Sequence, residues 1–216
     1  MSEAEGGGSS DGRMISRMLF FSDAVFAIVL TLMVLELRPP AAETDAELVE
    51  AIIGLAPKFV AFFASFALVS VFWAGHMAIT RKISAFDWPA AWLNLVFLFT
   101  IAVMPFVSGL LGERGVFGVA WQSYCIVLIA ASLAQTAFLL ALTRGNGRFV
   151  TAVSGRDRIW RTVRALSPGI AFAVGLVLSL HGQHRLSQFC WVLIPVILVV
   201  ARLFVGPRKE GGAADA

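Results

Sequence analysis

One carboxylate stands where a carboxylate is costly. Asp23 lies inside the apolar stretch from about Arg17 to Leu37, roughly six residues or ~9 Å along a helix rising 1.5 Å per residue. A charged side chain within a membrane span costs a few kcal/mol or more, so it normally has a partner or a function. At about 100° per residue, Ile28, Leu32 and Leu35 fall on one stripe of this helix, with Thr31 at its edge. On the same wheel Asp23 lies about 140° from Ile28 and is expected to point into the protein. Two chemistries are open for the stripe. One is a pore lining, with the stripe facing water. Otherwise the stripe is plain helix packing, and Thr31 bonds its own backbone carbonyl. His76 also has two readings, a satisfied core histidine or a proton relay with Asp23. Glu36 is either a vestibule carboxylate that attracts cations or a solvated helix end. Arg17 shares no helix face with Asp23 and is expected to snorkel to the interface.

Membrane helices are needed to hold these side chains. Of the 216 residues, 58% are hydrophobic and 14% charged, and the mean hydropathy is +0.82. A water-soluble domain of that composition would expose large apolar patches. A span takes ~20 mostly apolar residues, which leaves room for about six. They are read at about Arg17–Leu37, Leu48–Ile79, Pro89–Leu111, Val116–Leu142, Ile159–Leu180 and Phe189–Val205. The fold class is therefore an all-α membrane protein with six transmembrane helices per chain. The second stretch is longer than a bilayer requires and is expected to tilt or project. Residues 1–12 and 208–216 are small and polar and are read as disordered cytoplasmic tails around a six-helix domain at 13–207.

Local punctuation agrees. Pro39-Pro40 stops the first helix. Asp87 before Trp88-Pro89 reads as an N-cap. Pro105, Pro168 and Pro195 are expected to bend spans. Trp88, Trp92, Trp121, Trp160 and Trp191 fall near span ends as an interfacial belt, while Trp73 sits inside the second span.

Charge alternates between the connections. Arg13 and Arg17, then Arg81 and Lys82, then Arg144, Arg148, Arg156, Arg158, Arg161 and Arg164, and finally Arg202, Arg208 and Lys209 mark one side. Glu43, Asp45, Glu47 and Glu50 mark the other. The positive-inside rule makes both termini cytoplasmic, as an even number of spans requires. The arginine-rich loop reads as a topology determinant, with recognition of anionic lipid as the secondary alternative. The net charge of +3 thus reports membrane orientation, and no nucleic-acid partner is expected. Cys125 and Cys190 both lie in apolar stretches and read as buried thiols. No nucleophile–base arrangement, metal-ligand cluster or phosphate-cradling loop is visible, so neither an enzyme nor a cofactor is expected. A long internal repeat is also missing, which disfavours a transporter built from inverted repeats.

Arg17, Phe21, Ser22 and Asp23 spell R-x-x-x-F-S-D at the start of the first span. This motif resembles the signature of the transmembrane protein 175 family of potassium channels. Trp73 and His76 late in the second span, and Asn94 and Pro105 in the third, extend the resemblance from about Arg17 to Val205. The resemblance implies a single-repeat, prokaryotic-type channel: a homotetramer with four copies of the first helix around a central pore. It also implies a hydrophobic constriction at Ile28, further apolar layers at Leu32 and Leu35, and a contribution to selectivity from Thr31. Ser22, Asp23, His76 and Asn94 would then lock the pore helix to its neighbours. Potassium is the implied permeant ion, with a plasma-membrane location in contact with lipid. No T-V-G-Y-G filter occurs, so a carbonyl-lined filter of that kind is not available.

Overall fold

The computed structural model describes residues 5–81, 83, 87–143 and 155–205. The described residues are almost entirely helical. They form α1 (Glu5–Leu32), α2 (Asp45–Gly54), α3 (Ala56–Thr80), α4 (Trp88–Ala102), α5 (Met104–Arg114), α6 (Gly118–Thr143), α7 (Gly155–Leu180), α8 (His184–Ser187) and α9 (Leu193–Val205). Three-ten turns follow α1 at Met33–Glu36 and precede α9 at Cys190–Val192. Among the described residues, six segments are long and apolar enough to cross a membrane: Gly12–Glu36, Ala56–Thr80, Trp88–Arg114, Gly118–Thr143, Gly155–Leu180 and His184–Phe204.

Two expectations need correction. The long second stretch is not one helix, because α2 ends at Gly54 and α3 restarts at Ala56. Pro57 lacks an N–H and its ring crowds the carbonyl four residues back, that of Ile53. The chain instead closes α2 with a tighter turn, Leu55 N–H to Ile52 O at 3.0 Å. α2 is amphipathic and leaves Val49 and Ile53 exposed. Its start is fixed by Thr44, whose hydroxyl accepts the Glu47 N–H at 3.3 Å, while the Glu47 carboxylate accepts the Glu43 N–H at 3.0 Å. The second correction concerns residues 5–12, where the composition predicts a disordered tail but α1 continues as helix back to Glu5. Once a helix is nucleated, each further residue adds a hydrogen bond. Residues 1–4 and 206–216 lie outside the described residues, as do Lys82, Arg144, Arg148, Arg208 and Lys209.

Proline and cap chemistry set the other boundaries. Asp87 caps α4, its carboxylate accepting the Ala90 N–H at 3.0 Å. The third span breaks at Val103, one residue into the turn that Pro105 imposes. Pro168 removes the N–H that would serve the Arg164 carbonyl, and the Ser167 hydroxyl donates to that carbonyl instead at 3.0 Å. One residue on, the Gly169 N–H donates to the Ser132 hydroxyl of α6 at 3.0 Å, and Ser132 donates to the Ala165 carbonyl at 2.6 Å. A Cβ on Gly169 would sit 2.7 Å from Ser132 Oγ, so only glycine leaves room for this insertion. This is how a proline is tolerated in a span: neighbours satisfy the freed groups.

α6 is the most buried span and pairs most extensively with α7. The core joins Phe26 and Met33 of α1, Phe72 of α3, Phe97 of α4, Tyr124 of α6 and Phe172 of α7. Cys125 and Cys190 are buried free thiols. The molecule has a basic and an acidic end. At the basic end, Arg161 donates to the Ala78 carbonyl in the last turn of α3 at 3.2 Å, and Arg156 to the Phe204 carbonyl near the end of α9 at 3.1 Å. Both arginines meet the orphan carbonyls and the negative pole of a helix C-terminus.

Candidate ion path and the brace behind it

α1 has two unlike faces. Ser22, Phe26, Val29 and Met33 are buried at 0–3% exposure. Their spacing of four, three and four residues makes one stripe, and it docks α1 on α3, α4 and α5. The opposite face is open. Ile28 is 56%, Leu32 44% and Leu35 65% exposed, with Thr31 exposed between them. The three-ten turn at Met33–Glu36 matters here. Residues three apart eclipse in such a turn, so Leu35 stands over Leu32 rather than drifting off the stripe. The Thr31 hydroxyl donates to the Ala27 and Ile28 carbonyls at 3.0 and 2.8 Å. That fixes the rotor and leaves oxygen lone pairs on the open face.

Behind the buried stripe runs a chain of hydrogen bonds. His76 Nε2 of α3 donates to Asn94 Oδ1 of α4 at 2.9 Å. Asn94 Nδ2 donates to Ser22 Oγ of α1 at 3.0 Å, and Ser22 donates to the Met18 carbonyl at 2.9 Å. All three side chains are at most 1% exposed. Three helices are therefore tied at one depth in a dry core, where satisfied polar groups specify a single register. The His76 ring is stacked between Phe97 and Phe138, each centroid 5.7 Å away, and Phe26 packs against it at 6.0 Å.

Asp23 departs from its expected place. It does not enter the His76–Asn94–Ser22 group and does not point into the core; it is exposed. Its carboxylate accepts the indole N–H of Trp73 on α3 at 3.0 Å. Asp23 follows the innermost residue of the docking stripe by one position, which turns it to the flank, and a desolvated carboxylate without full pairing would be costly. Asp23 and His76 thus have separate partners, and no proton relay is built between them. Arg17 is exposed and Phe21 is 52% exposed, both outside the buried network.

At the acidic end Glu36 is exposed and lies against α5, where a Cβ on Gly109 would come within 2.5 Å of its carboxylate. Beside it, Lys58 and Glu113 form an ion pair at 2.9 Å. One contributor has no counterpart in the sequence reading. Gln135 of α6 donates to the Phe72 carbonyl at 2.8 Å and packs where Gly75 gives it space. A glutamine inside an apolar span was the available signal, since an amide is not buried in lipid without a partner. No group of three metal-ligating side chains occurs among the described residues.

The family described as "Endosomal/lysosomal potassium channel TMEM175" matches residues 17–105, which include the later part of α1 and all of α2, α3 and α4. A potassium channel of Chamaesiphon minutus is 37% identical over 196 residues, covering 87% of this chain and 92% of the relative. A potassium channel of Streptomyces collinus is 29% identical over 179 residues, covering 77% and 87%. The human endosomal/lysosomal proton channel TMEM175 is 27% identical over 120 residues, only 24% of its length. The crystal structure of a lysosomal potassium-selective channel TMEM175 homolog from Chamaesiphon minutus superposes with a TM-score of 0.68 at 25% identity, covering 89% of this chain and 96% of that one. The fold is that of a six-span membrane channel. The chain belongs to the TMEM175 family.

Proposed function

We propose that the protein is a passive potassium-selective or potassium-preferring channel of the plasma membrane. Its pore is lined by α1 in a homotetramer, and its termini are cytoplasmic. The observation that carries this reading is the open face of α1. A helix docked by Ser22, Phe26, Val29 and Met33 presents Ile28, Thr31, Leu32 and Leu35 outward, and relatives covering most of the chain are named potassium channels. In this reading Ile28, Leu32 and Leu35 form apolar constrictions, and Thr31 contributes hydroxyl oxygens where an ion sheds water. Planar-bilayer recording of the purified protein in opposed potassium and sodium gradients tests it. The reversal potential should lie toward the potassium equilibrium value. Flux that strictly requires a second ion gradient would remove the channel reading.

The vertebrate relatives named proton channels give one further measurement its purpose. A pH gradient imposed without a potassium gradient should shift the reversal potential little if potassium is the main permeant ion. The proton-coupled transporter through Asp23 and His76 is not favoured, because the two residues are bonded to Trp73 and Asn94.

A further inference from the structure

The cleft between α3 and α7 at the basic end takes no part in the ion path. It encloses about 500 Å³, within the ~300–1,000 Å³ of ordinary ligand pockets. Its mouth carries Arg81 from the end of α3 and Arg161 and Arg164 from the start of α7, against one carboxylate, Asp157. Trp160 stands among them, and tryptophan favours the headgroup level of a bilayer. Deeper in, the walls are apolar, with Val71, Met77 and Ala78 on one side and Ala165 and Pro168 on the other. Val71 and Met77 are 49% and 44% exposed. Gln135 also lines the cleft, its amide N–H donated to the Phe72 carbonyl. The result is a cationic mouth over an apolar slot, in a chain that spans a bilayer.

We propose that this cleft binds an anionic phospholipid, its phosphate among Arg81, Arg161 and Arg164 and an acyl chain along the Val71–Met77 wall of α3. Charge complementarity selects an anionic headgroup, since three arginines stand against one carboxylate at the mouth. Glu36, Glu43, Asp45, Glu47 and Glu50 lie at the opposite end, so a copy inserted in the same orientation brings none of them to the mouth. Asp23 and Asp87 are engaged by Trp73 and by the Ala90 N–H. Arg161 has a structural duty at the Ala78 carbonyl, whereas Arg81 and Arg164 are exposed. The site does not depend on which ion the pore conducts. Its α3 wall belongs to the helix whose Trp73 and His76 hold α1.

The test uses the full chain carrying Val71→Cys, labelled with a bimane and reconstituted with acyl-brominated lipids; the native thiols Cys125 and Cys190 are buried. Brominated phosphatidylglycerol should quench the label at lower mole fraction than brominated phosphatidylcholine. Arg81→Gln with Arg164→Gln should weaken that quenching by about fivefold per arginine and leave phosphatidylcholine unaffected. Both arginines are exposed, and Arg161 is left in place to keep its cap. The wild-type chain, probed by native mass spectrometry, should retain phosphatidylglycerol over phosphatidylcholine without any substitution. Equal quenching by the two lipids, or quenching that survives loss of both arginines, overturns the proposal. So does reversal by millimolar inorganic phosphate, which would mark a free-anion site. Protection of the label from both lipids overturns it too, since protein would then cover the cleft.

Discussion

Ile28 and Asn94 sit on opposite sides of the same helix wall, and their substitutions should read out differently. Ile28→Asn replaces an exposed apolar side chain on the open face of α1. On the proposed pore reading, a polar amide there wets the constriction, so single-channel conductance should rise with little change in thermal stability. An unchanged current would take Ile28 out of the gate. Asn94→Leu strikes the brace, leaving Ser22 and His76 without the partners they now have. Each unsatisfied buried polar group costs ~1–3 kcal/mol. The thermal midpoint in detergent should fall, and Ser22→Ala, which keeps the His76–Asn94 bond, should lower it less. Trp73→Phe removes the donor to Asp23 but keeps the ring. Because that pair is exposed, its loss should change stability by less than the Asn94 substitution does.

At the level of the elements, the clearest case is the joint between α6 and α7. The Ser132 hydroxyl bridges the Gly169 N–H and the Ala165 carbonyl beside Pro168. Ser132→Ala should destabilise the fold by ~1–3 kcal/mol, seen as a lower detergent melting temperature. An unshifted midpoint would show that the joint does not depend on the hydroxyl. Nothing in the sequence around Ser132 pairs it with a proline 36 residues on, since that partnership exists only after two helices pack. Hydropathy made six spans legible because the bilayer imposes length and apolarity on each one. It could not locate the break at Leu55, because the stretch stays apolar on both sides of Pro57. The stripe of Ile28, Leu32 and Leu35 was legible from periodicity. The turn of Asp23 toward Trp73 was not, because a wheel gives angles on one helix and says nothing of which neighbour stands at each angle.

The molecule gathers most of its arginines at one end and the Glu36–Glu50 carboxylates at the other, and α1 leaves an apolar face exposed. A lone chain would give that face to lipid; an assembly around it gives the face to water. Leu35→Cys separates the two cases. Leu35 is 65% exposed near the acidic end, and the native cysteines are buried. A charged thiol reagent added from the acidic side should abolish most of the current of this variant and leave the wild type untouched. If Leu35 faces lipid, a membrane-impermeant reagent will not react.

The brace also has an electrical property. Its hydrogen bonds run in one direction, from the His76 ring through the Asn94 amide to the Ser22 hydroxyl, and stop at the Met18 carbonyl. A carbonyl has no proton to pass on, and an amide N–H does not give one up as a hydroxyl or imidazolium does. The hydrogen-bond chain is therefore a proton insulator: it ties α1, α3 and α4 together and offers protons no route along itself.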